Sequence, residues 1–184
     1  WDDLVEAIDC GDAAAAWFGQ ALGTACRLVR CPPDAARPTS EKWTGGAPSS
    51  ARFADAYPLL LIGQASLDEI NERMRAAGRD ALPMDRFRPN LVVEGINAFD
   101  EDYTASFTAG DIVIQPVKPC ARCPIPAIDQ ATGIPGPDPL DILQSWRARA
   151  ILDGAVCVGM NCIVAGGAGG ILRVGQPLAL SLSF

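Results

Sequence analysis

The sequence contains no histidine. That removes Ser-His-Asp and Cys-His arrangements, and every zinc site that needs imidazole. A metal here must use cysteine, carboxylate or backbone ligands. Long apolar runs are missing too. Runs such as Leu59 to Ile62 are far too short to span a membrane, so no membrane contact is expected within the chain. No signal peptide is visible. The chain opens on Trp1 without a methionine, which we read as a fragment or a trimmed chain, so any targeting segment would lie in what was removed. Positive charge is scarce: 15 Lys and Arg stand against 22 Asp and Glu, a net charge of -7. That balance argues against a broad nucleic-acid surface. It leaves room for a local basic pocket around one anionic ligand.

With 184 residues, 49% of them hydrophobic and 20% charged, the chain fits one globular domain with a real core. Its 7 cysteines are odd in number and irregularly spaced, unlike a secreted disulfide framework. A reducing, cytoplasmic setting is the expectation. Most of these thiols should pack as small apolar residues.

Residues Trp1 to Asp9 read as a strand or the end of a linker. Asp12 reads as an N-cap for a helix over Ala13 to Leu22 that stops at Gly23, with Trp17, Phe18, Ala21 and Leu22 on its buried side. A short strand follows at Cys26 to Val29. Residues 31–57 are rich in Pro, Gly, Ser and Ala and read as a long loop. Leu59 to Ile62 reads as a buried strand. Ser66 and Glu69 form a capping box for a helix through Ala77, which buries Leu67, Ile70 and Met74. Leu91 to Glu94 reads as a strand, 95–109 as an acidic loop, and Ile112 to Val117 as another strand. Asp138 caps a helix with Pro139 at its first position. Cys157 to Val164 and Leu172 to Leu182 read as strands around a tight hairpin at Gly166 to Gly170. The whole reads as mainly β, a closed barrel with a few helices outside.

The chemistry points to Val117–Gly133. Pro119, Pro124 and Pro126 stiffen it, and it holds Cys120 and Cys123 with Arg122 between them. A thiolate is both nucleophile and metal ligand, and nearby cations such as Lys118 and Arg122 favour it. The pair alone is a weak signal. A zinc ribbon needs a second such pair, and a thioredoxin-like motif needs a βαβ context; two cysteines packed in a loop is the plain alternative. Arg86, Arg88, Lys118, Arg122 and Arg147 stand out in an acidic chain. Singly, each reads as a solvated or paired side chain. Arg88, just before Pro89-Asn90 at a strand start, can aim a guanidinium fork at a phosphate or heterocycle.

Several motifs together resemble one family. They are F-R-P-N at Phe87 to Asn90, then L-V-V-E-G, K-P-C-A-R-C from Lys118, I-D-Q-A-T-G, D-P-L-D-I-L-Q-S-W-R, V-G-M-N at Val158 to Asn161, and I-L-R-V-G-Q-P-L from Ile171. Upstream, A-W-F, C-R-L-V-R, Y-P-L-L-L-I and A-S-L-D-E-I-N match as well. In this order they resemble the MOSC domain, the C-terminal domain of molybdenum cofactor sulfurase, over nearly the whole chain. The branch they look most like is the amidoxime-reducing component and its bacterial relatives.

The resemblance implies one MOSC domain over 1–184, a β-barrel fold and a bound molybdenum cofactor. It implies Cys123 as the protein sulfur on molybdenum, and Arg88 and Asn90 as residues that hold the pterin. Lys118, Arg122, Arg147 and Asn161 complete the expected cofactor site. There are departures. Pro126 and Ala127 stand where many relatives have threonines, and Gln176 stands for a usual aspartate. The family's N-terminal β-barrel domain is absent from these residues, so the fragment alone is expected to hold cofactor weakly. The implied activity is reduction of small N-hydroxylated compounds, with electrons from a separate flavin or iron–sulfur protein. A second reading is a metal-free sulfur carrier that receives a persulfide on Cys120 or Cys123 from a pyridoxal-phosphate-dependent desulfurase. A third is a structural remnant that binds nothing.

Overall fold

The computed structural model describes residues 4–183. Residues 1–3 of the stretch expected to begin at Trp1 lie outside the described residues. The chain opens with a two-stranded antiparallel sheet, β1 (Ile8–Asp9) and β2 (Val29–Arg30), joined by helix α1 (Asp12–Leu22). Gly23 ends α1 in the left-handed region at φ 67, as its sequence suggests. Two expectations for this helix fail. Gly11, not Asp12, is the N-cap, because Asp12 turns to an ion pair with Arg27. No residue of α1 is buried, and Trp17 and Leu22 stand exposed.

The long loop does carry a short helix, α2 (Glu41–Thr44). Beyond it, strands β3 (Leu59–Gly63), β4 (Leu91–Val93), β5 (Thr104–Ala109), β6 (Ile112–Ala121), β7 (Ala148–Arg149), β8 (Ala155–Gly166) and β9 (Ala179–Leu182) form one sheet. Its order is β4-β3-β8-β6-β5-β9, with β7 beside β8. Helices α3 (Gln64–Ala76) and α4 (Leu140–Arg147) complete the fold. The fold is mainly β, as expected, but the sheet is a curled half-barrel and not a closed one. Among the described residues β4 and β9 end the path without pairing to each other. Residues 95–109 are not all loop: β5 makes a hairpin with β6 over Ala109–Ile112. The Gly166–Gly170 segment is not a hairpin, because β9 pairs with β5 and not with β8. There Gly167 packs so close to the chain that a Cβ would lie 2.5 Å from the Asp111 carbonyl oxygen.

Two apolar cores sit on opposite faces of the sheet. Ile62, Leu67, Ile70, Met74, Phe87, Leu143, Val156 and Val158 form one. Leu61, Val93, Phe107, Ile114, Met160 and Cys162 form the other. Adjacent Leu61 and Ile62 divide between them by strand alternation. Val158 and Met160 also divide, although two residues apart. Between the Pro119–Met160 and Ala121–Cys157 pairs, β8 advances three residues while β6 advances two, which is a bulge. Gly159, at φ 76, takes the turn.

Ser66 was expected to cap α3. Instead Gly63 is the N-cap, and Ser66 lies buried one turn in. Its hydroxyl donates to Glu101 Oε2 at 2.8 Å, and Gly63 N–H donates to Glu101 Oε1 at 3.1 Å. Asp138 was expected to cap α4 with Pro139 inside it; instead Pro139 is the N-cap, and Asp138 just before it accepts the Leu140 N–H at 3.0 Å.

Candidate functional site

Strand β6 carries the cysteine segment. β5 covers it only over Ile112–Ile114, so from Gln115 onward β6 has a ladder to β8 alone. That free side tolerates Pro116 and Pro119, which lack an N–H. The strand ends at Ala121, and Arg122 N–H still donates to the Val156 carbonyl at 2.8 Å. A single 3₁₀ turn, Ile125–Ala127, follows. Pro124 and Pro126 allow no more helix than that.

Cys120 and Cys123 have different surroundings. Arg122 Nη1 donates to Cys120 Sγ at 3.2 Å, while its Nη2 donates to the Phe87 carbonyl at 2.8 Å. Cys123 is exposed and makes no hydrogen bond among the described residues. The cation expected to serve Cys123 therefore sits on Cys120. Arg122 Nε is buried and unpartnered. Burial pushes the Cys157 thiol up, and it pushes Cys162 up to about 12. Those two are packed core thiols, but Cys10 and Cys123 are exposed and Cys26, Cys31 and Cys120 half-buried, so the expectation that most of the cysteines would be buried fails.

Phe87 ends a 3₁₀ turn, Met84–Phe87, and its fully buried ring anchors that turn in the core. Arg88 follows in the left-handed region at φ 54, with its side chain exposed and without hydrogen bond or ion pair among the described residues. It lines an open cleft of about 400 Å³ with Met84, Asp85, Pro89, Val92 and Gln130. Asn90 clamps β3: its Oδ1 accepts the Leu60 N–H at 2.8 Å, and its own N–H donates to the Leu60 carbonyl at 2.9 Å. Leu60 faces Asn161 on β8, and Asn161 faces Lys118 on β6. So Asn90, Asn161 and Lys118 lie in one row across the sheet. Lys118 Nζ stands 5.4 Å from the Trp43 ring of α2.

Arg147 lies apart from this group. It is buried at 4% exposure, donates to Asp102 Oδ2 at 2.9 Å and to the Cys157 carbonyl at 2.8 Å, and stacks 4.1 Å over Phe99. Arg149 also pairs with Asp102. Arg86 stood out in the sequence as one of five basic residues, without a role of its own. Its Nη1 donates to the Pro126 carbonyl and its Nη2 to Asp129 Oδ2, both at 3.2 Å. The signal was the I-D-Q-A-T-G turn, where Asp129 Oδ1 accepts the N–H of Ala131 and Thr132 and the Thr132 hydroxyl. Those bonds, from the Thr132 hydroxyl first, lower the Asp129 carboxyl.

A half-barrel with an exposed thiol beyond its central strand and an unpaired guanidinium on a neighbouring turn fits a domain that seats an anionic, sulfur-seeking ligand. Residues 48–179 match the MOSC domain, and the chain belongs to that family. Over 143 residues it is 38% identical to mitochondrial amidoxime reducing component 2 of Homo sapiens, covering 76% of this chain and 42% of that protein. The Rattus norvegicus protein of the same name is 34% identical over 181 residues, 92% of this chain and 52% of the relative. A Danio rerio molybdenum cofactor sulfurase is 29% identical over 161 residues, 83% of this chain and 19% of the relative. The chain thus spans about half the length, or less, of these relatives.

Proposed function

We propose that this chain is the cofactor-binding part of a molybdenum oxidoreductase that reduces small N-hydroxylated compounds. The observation that carries the reading is an exposed, unbonded Cys123 beside Arg122, whose guanidinium anchors at Phe87, the residue just before the unpaired Arg88. The residues fit the group. Among the described residues no three His, Cys, Asp or Glu side chains gather around a bare metal ion. One thiol suits a soft metal that arrives with its other sulfur ligands. The orphaned, buried Arg122 Nε and the open Arg88 fork are donors that suit the oxygen-rich, phosphate-bearing end of a pterin cofactor.

In this reading Cys123 Sγ is the protein's ligand to the metal. Arg88 holds the phosphate by a bidentate fork, and Asn90 keeps β3 and the Arg88 turn in register. Lys118 and Asn161 present a cation and an amide along the row beside them. Arg147 works from beneath, holding the Cys157 carbonyl of β8. When bound, the molybdenum centre would supply two-electron chemistry for reducing an N–O bond, with the electron pair from a separate flavin or iron–sulfur protein and two protons from solvent, so that the oxygen would leave as water. The names of the mammalian relatives support the substrate class. All 7 cysteines are free, which suits a reducing compartment such as the cytoplasm.

A second reading keeps Cys123 and drops the metal. An exposed thiol without a hydrogen bond is also what a persulfide carrier needs, and one relative is named a molybdenum cofactor sulfurase. Activity separates the two. With its reductase, the full-length protein should reduce a small amidoxime, Cys123→Ser should not, and Cys120→Ser should keep most of the rate. Serine offers a hard hydroxyl where a soft thiolate is needed. An active Cys123→Ser beside a dead Cys120→Ser would refute the assignment. A persulfide mass shift on Cys123 in metal-free protein favours the carrier.

A further inference from the structure

Arg86 belongs to neither the metal nor the pterin set, yet it joins the two turns that present them. It sits in the Met84–Phe87 turn, just before Arg88, and reaches across to the segment just after Cys123. There it donates to the Pro126 carbonyl and to Asp129 Oδ2. Its side chain is 16% exposed, and its Nε is buried without a partner, so burial is imposed on a guanidinium that two contacts on one segment hold in place. Arg122 makes the reverse connection, from the cysteine segment back to the Phe87 carbonyl. Two arginines thus run in opposite directions between the same pair of turns. A planar fork suits such a strut; a lysine has the charge without the geometry.

We propose that Arg86 is a positioning residue: it docks the segment after Cys123 onto the turn before Arg88 and so sets the distance between the metal-binding sulfur and the phosphate-binding guanidinium. The inference rests on the reading of Cys123 and Arg88 given above. Asp129 is its anchor, and Asp129 Oδ1 independently builds the following turn. The substitution Asp129→Asn removes the strut's acceptor but also weakens the charge-assisted bonds of the turn, so Arg86→Lys, which leaves Asp129 intact, is read beside it. The amide oxygen can still accept from Ala131, Thr132 and the Thr132 hydroxyl, whereas its NH₂ cannot accept from Arg86.

The test uses full-length protein as wild type, Asp129→Asn and Arg86→Lys. Two quantities are read: amide hydrogen exchange across Arg122 to Gly136 in cofactor-free protein, and molybdenum per chain in protein purified with cofactor. Loss of one charge-assisted bond should speed exchange in that segment about tenfold while the β3 and β8 amides stay protected. Molybdenum per chain should fall in both variants. Unchanged exchange in Asp129→Asn overturns the docking. Faster exchange with molybdenum retained at the wild-type level makes Arg86 a structural strut only and overturns the positioning role. Wild-type protein that holds no molybdenum fails the cofactor reading instead, and the exchange data then decide the docking by themselves.

Discussion

Glu101 shows how much one side chain can carry without touching the site. It is fully buried and accepts bonds from Gly63 and Ser66. Burial raises its carboxyl, and the two bonds pull the other way. The folded state thus binds this proton more tightly than the unfolded chain does. The favourable contribution is complete below the ordinary glutamate range and is lost as pH rises through the raised folded value. Glu101→Gln removes that titration, so its melting temperature relative to wild type should climb as pH rises above the ordinary glutamate range. A gap that stays constant with pH would contradict a raised Glu101. Neither Glu101 nor Arg86 was legible in the sequence. Their partners lie 38 and 43 residues away, and no local pattern marks a pair so distant. Cys123 and Arg88 could be singled out as candidates because each sits in a short motif whose residues are contiguous.

Among the elements, β3 was read within a residue because it is a short apolar run. Helix α3 was read by its Leu67, Ile70 and Met74 stripe, all of them buried. β5 was missed: Thr104–Ala109 follows an acidic stretch and reads as polar, and only its hairpin with β6 makes it a strand. α1 was found, but its expected buried face is not buried: Trp17 and Leu22 stand exposed, and the Trp17 ring meets its chain neighbour Phe18 edge-on. The bulge in β8 was also invisible beforehand, and it carries a prediction. A Cβ on Gly159 would lie 2.6 Å from Ile62 Cγ1 and 2.8 Å from the Leu61 carbonyl oxygen, at φ 76. Gly159→Ala adds left-handed strain to a clash with backbone. It should cost about 2–4 kcal/mol in urea unfolding. A variant as stable as wild type would mean that β8 does not turn over at that residue.

The molecule as a whole is an open, curled sheet with a core on each face. Its β6 edge is bare where the cysteine segment begins. Barrel closure was expected from the number of strands and from the family resemblance, and neither tells whether the edge strands of this chain meet. The cofactor reading is the central claim, and molybdenum content tests it most directly. Elemental analysis of purified full-length protein should find near-stoichiometric molybdenum in wild type. It should find much less in Cys123→Ser and in Arg88→Ala, with melting temperatures close to wild type. Arg88 is exposed and unpaired, so its loss costs the fold little, whereas an arginine–phosphate bond is worth about 1.5–3 kcal/mol to the ligand. Wild-type protein without molybdenum, or a Cys123→Ser/Arg88→Ala double variant that retains it fully, contradicts the account.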